Sequence, residues 1–81
     1  MEVEVRYHLS VRLSLKRTTE TFDIEDGSSV GDLVGLIVSR YGSRFGDPAA
    51  YVFAVEGEPV EPRRRLQHRE VVSIYPPTAG G

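Results

Sequence analysis

The chain has no cysteine and no tryptophan among its 81 residues, and no apolar stretch approaches the ~18 residues that a membrane-spanning helix needs. Without cysteine there is no disulfide, thiolate metal site or thiol nucleophile, and a reducing, cytoplasmic location is favoured. Basic residues are not in excess, since 10 Lys and Arg stand against 12 Asp and Glu for a net charge of -2. This balance argues against a nucleic-acid partner.

The N-terminal residues also lack a targeting pattern. MEVEVRYH alternates charged and apolar residues, whereas a signal peptide has a basic stretch followed by an apolar run. We therefore expect a soluble, cytoplasmic protein with no membrane partner.

Groups that could carry chemistry are few. His8 and His68 lie far apart without metal-ligand spacing, and His8 falls on the polar face of its predicted strand, so we expect solvated histidines and no metal site. The acidic residues alternate with apolar ones or cluster at a turn, which is typical of a solvated sheet face; they are Glu2, Glu4, Glu20, Asp23, Glu25 and Asp26. Because a chain of this length buries only a modest core, an enzyme with a deep cleft is disfavoured.

The first part of the chain has the period of a β-strand. From Val3 onward the odd positions are apolar and the even ones polar, which predicts a strand with one buried face. Its length indicates either a hairpin arm reaching Lys16 or a break near Ser10. A turn at residues 16–19 then leads into a returning strand, TETFDIED, that ends at Asp26-Gly27.

The period then changes to that of a helix in SSVGDLVGLIVSRYG. Its apolar residues recur at three-and-four spacing; they are Val30, Leu33, Val34, Ile37, Val38 and Tyr41. Ser28 or Ser29 can cap the start, and Gly42 suits the end. We expect the small residue at Gly35 to let the helix sit close to the sheet.

The second half of the chain predicts a series of short elements. A single helical turn capped at Asp47-Pro48 comes first, followed by a strand at 51–55, a tight turn at 56–58 and an edge strand at 59–61. A charged connection anchored by Leu66 then leads to a last strand at 71–75. The fold class is therefore α+β, a roll with a mixed sheet of four to five strands and one main helix packed across it. The first and last strands can pair at its centre. Residues 1–75 form the domain, and residues 76–81 form a flexible tail.

The charged connection contains three adjacent arginines, Arg63, Arg64 and Arg65. Neighbouring guanidinium groups repel one another and stay hydrated, so an exposed loop is the simple interpretation. The alternative is a docking site for an acidic surface on a partner, because such a cluster speeds association and fixes orientation.

The chain ends in IYPPTAGG. Pro76 and Pro77 have a fixed φ and lack the N–H that a sheet needs, so they end the last strand. Gly80 and Gly81 have no Cβ and can thread a channel too narrow for other residues. The sequence therefore predicts a projecting tail with the Gly81 carboxylate at its tip, although a frayed terminus would share part of this composition.

This ending, on a strand-strand-helix-strand-strand domain, resembles the ubiquitin-like sulfur carriers. The similarity is greatest to the small subunit of molybdopterin synthase and extends more distantly to the thiamine-biosynthesis sulfur carrier. IYPPTAGG is the specific part, with weaker similarity in YHLSVR and VEGEPV. The resemblance implies a β-grasp, or ubiquitin-like, fold and a carrier that is not itself an enzyme.

The resemblance also implies roles for particular residues. Gly81 is adenylated by an E1-like enzyme and converted into a thiocarboxylate, which donates sulfur in biosynthesis, and the resemblance points first to the biosynthesis of molybdopterin. Gly80 threads into the partner; Pro76 and Pro77 end the strand; Tyr75 and Val60 belong to a partner-facing apolar patch or to the ordinary core. No cofactor is bound permanently, ATP is used by the activating partner, and the second partner is a large synthase subunit or another sulfur acceptor.

Three alternatives remain open. A carrier with the same chemistry would deliver its sulfur to another thio-metabolite instead of molybdopterin. A ubiquitin-like modifier would use the same activated Gly81 to form an isopeptide bond with lysine. A β-grasp interaction domain would bind partners without covalent chemistry, and its tail would be idle.

Overall fold

The computed structural model describes residues 1–77. In this part of the chain one sheet contains five strands, namely β1 (Glu2–Tyr7), β2 (Thr19–Asp23), β3 (Val52–Val55), β4 (Glu58–Val60) and β5 (Val71–Tyr75). Their order across the sheet is β2-β1-β5-β3-β4. β1 and β5 run parallel, and the other neighbouring pairs are antiparallel. The mixed sheet and the central pairing of the first and last strands confirm the sequence prediction.

The first strand is shorter than a hairpin arm would be. β1 ends at Tyr7, and the chain then forms helix α1 (Leu9–Leu15), which connects β1 to β2. The break near Ser10 is therefore correct and the long arm is wrong. Val11 and Leu15 are buried, whereas Leu9 and Leu13 are 63% and 71% exposed. Apolar residues at every second position fit a strand, but those four positions apart also lie on one face of a helix. In the fold Val11 and Leu15, which are four positions apart, pack into the core.

The main helix, α2 (Val30–Tyr41), lies where the sequence predicts it. Ser29 is the N-cap, and it forms a capping box with Asp32 in which each side chain accepts the other residue's backbone N–H. Most of the predicted apolar stripe is buried, but Val38 is partly exposed. The role expected for Gly35 is wrong, because Gly35 is exposed and a Cβ there would meet no atom within 4 Å.

The elements after α2 follow the prediction closely. One 3-10 helix, Gly42–Arg44, extends α2, and a second, Pro48–Ala50, begins at Asp47, whose side chain accepts the Ala49 N–H at 3.0 Å. β4 is an edge strand, and Pro59 lies in it. The returning strand β2 stops at Asp23, three residues before the predicted end. Leu66 is buried, as expected of an anchor.

The core lies between α2 and one face of the sheet. Its members on the three central strands include Val3, Val5 and Tyr7 of β1, Val72 and Ile74 of β5, and Phe53 and Val55 of β3. Residues that alternate with these point to the opposite face of the sheet, which α2 does not cover. No helix among residues 1–77 is long and apolar enough to cross a bilayer.

Candidate functional site

The C-terminal tail begins at the centre of the sheet. β5 pairs with β1 on one side and with β3 on the other, and it ends at Tyr75. Pro76 is half-buried and Pro77 is exposed, while the predicted site residues Gly80 and Gly81 lie outside the described residues. Because β5 is hydrogen-bonded along both edges, the point at which the tail leaves the sheet is fixed by the fold.

An aromatic stack lies at this point. The rings of His8 and Tyr75 have centroids 4.2 Å apart and planes inclined by 12°. His8 follows β1 directly, and its backbone N–H donates to the carbonyl of Ile74 at 3.1 Å. The expectation of a solvated His8 is wrong: the side chain is half-buried, and its Nε2 is shielded from solvent without a hydrogen-bond partner among residues 1–77.

Charged groups surround the stack on the open face. Arg6 pairs with Glu4 at 2.5 Å, and the Glu56 carboxylate accepts the backbone N–H of Val71 at 2.7 Å. Burial, followed by the positive charges of Arg12 and Arg6, lowers the pKa of His8 below its ordinary value of 6.5. The imidazole is therefore neutral at pH 7.

The apolar part of the open face is formed by residues next to Tyr75. Val52 is directly opposite Tyr75 in the sheet and is 48% exposed, and directly opposed residues share a face. Val60 is instead opposite Phe53 and packs against the core from the edge strand. The prediction that Val60 and Tyr75 form one patch is corrected here, because the register puts them on opposite faces.

The three arginines separate into different environments. Arg64 binds the Glu70 carboxylate with both terminal nitrogens, at 2.5 and 2.9 Å, and Arg65 donates to the carbonyl of Gly27 at 2.8 Å. Arg63 projects outward with its side chain 89% exposed and contacts Glu61 at 3.3 Å. The simple interpretation, a fully hydrated cluster, therefore applies only to Arg63. Arg65 ties the loop 61–70 to Gly27, whereas Arg64 joins two positions within the loop itself.

One acidic residue is not where the sequence predicts it. Glu20 is only 7% exposed, and its carboxylate accepts hydrogen bonds from Tyr7 at 2.9 Å, from Tyr41 at 2.8 Å and from Arg40. The solvated face expected for Glu20 is wrong because β2 pairs Glu20 with the buried Val5. No local signal reveals this, since the tyrosines that bind it come from β1 and α2.

The remaining titratable side chains of the described residues either have partners within the fold or lie on the surface. Within residues 1–77 no group of three His, Asp or Glu side chains could hold a metal ion. His68 lies on the surface, where its Nδ1 accepts the N–H of Glu2 at 3.0 Å. The buried carboxylate of Glu20 is satisfied within the fold. What the site offers is a rigid base for a chain end and an open sheet face beside it.

Comparisons with known proteins agree with this geometry. A family model described as the ThiS family matches residues 10–81. The molybdopterin synthase sulfur carrier subunit of Chlamydomonas reinhardtii is 29% identical over 83 residues, with 100% of both chains covered. The putative molybdopterin converting factor subunit 1 of Pyrococcus furiosus is 27% identical with a TM-score of 0.83, covering 96% of this chain and 99% of that chain.

A chain in the complex of subunits 1 and 2 of the molybdopterin-converting factor from Helicobacter pylori has a TM-score of 0.72 at 20% identity, over 100% of both chains, a similarity that shows the fold. The expected fold is thus confirmed as the ubiquitin-like β-grasp. Because the family model covers most of the sequence, the chain belongs to the ThiS family and is a β-grasp sulfur carrier rather than an enzyme.

Proposed function

We propose that this chain is the small, sulfur-carrying subunit of a molybdopterin synthase, and that its Gly81 carboxylate is the group that becomes a thiocarboxylate. The observation that carries the proposal is the full-length similarity to the Chlamydomonas sulfur carrier subunit in a chain that ends in PPTAGG. The structure supports this proposal in one respect. The segment that carries Gly81 follows β5, which is held on both sides in the sheet, and a carrier needs a rigid body next to its reactive end.

The chemistry requires only the free carboxylate. An oxygen of Gly81 attacks the α-phosphorus of ATP in an E1-like enzyme, pyrophosphate leaves, and an acyl adenylate forms. Hydrosulfide then attacks the carbonyl carbon, and AMP leaves without any change in oxidation state. A persulfide donor would additionally need a thiol to cleave its S–S bond. Gly80 is the threading neighbour of the reacting residue, since it has no side chain to clash with a narrow channel.

Two surfaces of the body are proposed to meet the partners. The first is the open face around Tyr75, Pro76 and Pro77, which adjoins the tail and includes the exposed Val52. We assign this face to the large synthase subunit, and the complex described for the Helicobacter pylori subunits supports such a partner.

The second surface is a shallow depression at the sheet edge, lined by Pro59, Val60, Glu61, Arg63 and Arg64. Its exposed guanidinium at Arg63 is suited to an acidic surface of a partner, through electrostatic steering. Arg64 and Arg65 shape this surface by holding the loop.

The test is the intact mass of the protein after incubation with ATP, Mg²⁺, sulfide and an E1-like enzyme that is proven to activate a carrier of this family. A gain matching the replacement of one oxygen by sulfur, absent from a variant lacking Gly81, is the expected result. Addition of a large synthase subunit and its substrate should then return the carrier to its original mass.

Other results would contradict the proposal in distinct ways. Covalent attachment of the carrier to lysine side chains, without sulfur gain, would identify a protein modifier. An unchanged mass together with undiminished partner binding by the Gly81-deleted variant would identify a non-covalent interaction domain.

A further inference from the structure

The stack between His8 and Tyr75 links the first strand to the base of the tail. β1 and β5 run parallel with Tyr7 opposite Ile74, so the next residue of each strand reaches the same end of the sheet. There the centroids of the two rings lie 4.2 Å apart and the ring planes are nearly parallel. Tyr75 is followed at once by Pro76 and Pro77, whose fixed φ transmits the orientation of Tyr75 to the start of the tail.

The backbone beside His8 is held in a costly conformation. Leu9 has a φ of 53°, in the left-handed region that a leucine adopts only when the surrounding structure imposes it. The constraints are visible, because the His8 N–H donates to Ile74 and the His8 carbonyl accepts from Val11 at 3.2 Å. Leu9 itself is exposed and contributes little burial in return. This junction therefore holds the His8 ring in one place.

The stack is compatible only with a neutral ring. A protonated imidazole carries N–H groups on both nitrogens, and Nε2 is shielded from solvent with no acceptor among residues 1–77. The charged groups nearby are Arg6 from β1, Arg12 from α1 and Glu56 from the β3–β4 turn. Both arginines oppose a cation at His8, and the Glu56 carboxylate is engaged with the Val71 N–H; Tyr75, from β5, is the stacking partner.

We propose that His8 is a positioning residue for the sulfur carrier: its neutral imidazole, stacked on Tyr75, sets the direction in which the tail leaves the sheet, and protonation of the ring releases that constraint. The inference deepens the proposed function, on which it rests, because a fixed direction matters when a partner must thread Gly81. Release makes the base of the tail mobile, so the activating enzyme has to immobilise it again on binding. The effect falls on KM for the carrier and leaves kcat unchanged.

The experiment compares the wild type with His8→Phe, which keeps a planar ring but cannot be protonated, and with His8→Ala, which removes the ring. KM and kcat for thiocarboxylate formation are measured with one activating enzyme from about pH 7.5 to about pH 5, the range in which histidine titrates. Dividing the KM of the wild type by the KM of His8→Phe at each pH removes the pH dependence of the activating enzyme itself.

We expect that ratio of KM values to rise about two- to tenfold on acidification, which corresponds to immobilising one residue's side chain and backbone. His8→Ala should show the raised KM at every pH. A ratio that stays constant with pH, or a KM for His8→Ala equal to that of His8→Phe, would overturn the inference while leaving the proposed function intact.

An NMR titration gives a readout that needs no activity. In the wild type the ring and amide signals of Tyr75 should shift with the titration of His8, at a pH below 6.5, and in His8→Phe they should not. Tyr75 signals that do not shift as His8 titrates would overturn the inference, even if His8→Ala does not fold. If no variant, including the wild type, is activated, the proposed function fails, and the titration alone decides whether His8 controls Tyr75.

Discussion

At the scale of single residues, Glu20 shows how a buried charge is tolerated. Burial acts to raise its pKa, but hydrogen bonds from Tyr41 and Tyr7 and the charge of Arg40 outweigh that effect, so that the pKa lies below its ordinary value. Burial and the neighbouring carboxylate raise the pKa of Tyr7 in turn, which keeps the phenol a donor. The ionised carboxylate therefore stabilises the folded state.

Glu20→Gln should lower the free energy of unfolding at pH 7 by about 1–3 kcal/mol, since the amide replaces one acceptor oxygen with a donor that faces Arg40. Because the folded pKa is below the unfolded one, this contribution is complete above about pH 4.5 and is lost as the pH falls through the folded pKa. Urea unfolding from pH 7 to pH 3 measures it. The difference in free energy of unfolding between the wild type and Glu20→Gln should become smaller as the pH falls. A difference that becomes larger in acid would contradict a lowered pKa for Glu20.

Glu25→Gln is the matched control, because Glu25 is an exposed carboxylate of the same region. Its effect on the free energy of unfolding should stay within about 0.5 kcal/mol at each pH. A loss as large as that of Glu20→Gln would mean that general charge, and not the buried network, governs stability.

Arg69, like Leu9, has a backbone in the left-handed region, which lowers the stability of the fold. Its φ is 71°, and the side chain is exposed. Arg69→Gly should raise the free energy of unfolding by about 1 kcal/mol, the relief of left-handed strain less the added entropy of the unfolded glycine. Arg63→Gly, at an exposed residue outside the left-handed region, should be neutral or destabilising. Urea unfolding decides, and equal effects of the two substitutions would show that Arg69 is not strained.

At the scale of elements, α1 shows why a period-two pattern is ambiguous. The alternation from Val3 to Leu15 fits a strand throughout, yet only the part up to Tyr7 finds a partner in β5. Beyond that point Val11 and Leu15 reach the core as helical neighbours four residues apart. A continued strand and a helix both fit the local pattern of residues 9–15. Which of the two forms is therefore decided by where β5, the partner of β1, ends.

The two glycines of α2 differ in their surroundings, and this gives a paired test. Gly35→Ala should raise the free energy of unfolding by about 0.8–1 kcal/mol, because the position is helical and open. Gly31→Ala should gain less or lose stability, since its Cβ would lie 3.3 Å from the carbonyl oxygen of Pro62, which already accepts the Gly31 N–H at 2.8 Å. Thermal melting of both variants measures the difference, and a destabilising Gly35→Ala would reveal an unrecognised contact on that face.

At the scale of the whole molecule, the last strand is also the central one. β5 completes the sheet only after almost all of the chain is available, and its residues Val72 and Ile74 are fully buried. The two ends of the chain therefore meet at the sheet centre, and pairing of such sequence separation is characteristic of slow, cooperative folding.

Shortening the chain should separate fold from function. A chain ending at Pro77 keeps all five strands and should melt within about 2 °C of the full chain, a change corresponding to less than 1 kcal/mol, but it should not be activated. A chain ending at Glu70 lacks β5 and should be unfolded by circular dichroism. A large loss of melting temperature on ending at Pro77 would show that residues 78–81 contribute to the fold.

Much of the architecture was predictable because its signals are local. The cap at Ser29, the edge strand containing Pro59 and the anchor at Leu66 each follow from a few neighbouring residues. Of the candidate site, the end of the last strand before Pro76 was predictable from the Pro-Pro pair, and β5 does end at Tyr75; the roles of Gly80 and Gly81 stay predictions. The stack beneath the tail was not predictable, since it joins residues from the two ends of the chain.

By itself, the sequence determined the β-grasp order of elements, the lack of cysteine chemistry and the Pro-Pro pair that follows the last strand, all of which depend on composition or short spacing. Tertiary structure alone decided that the first strand ends at Tyr7, that Glu20 is buried, that Val60 and Tyr75 lie on opposite faces, and that His8 stacks on Tyr75. The physical reason is register: shifting a strand by one residue exchanges its two faces, and register is set by pairing between segments distant in the chain.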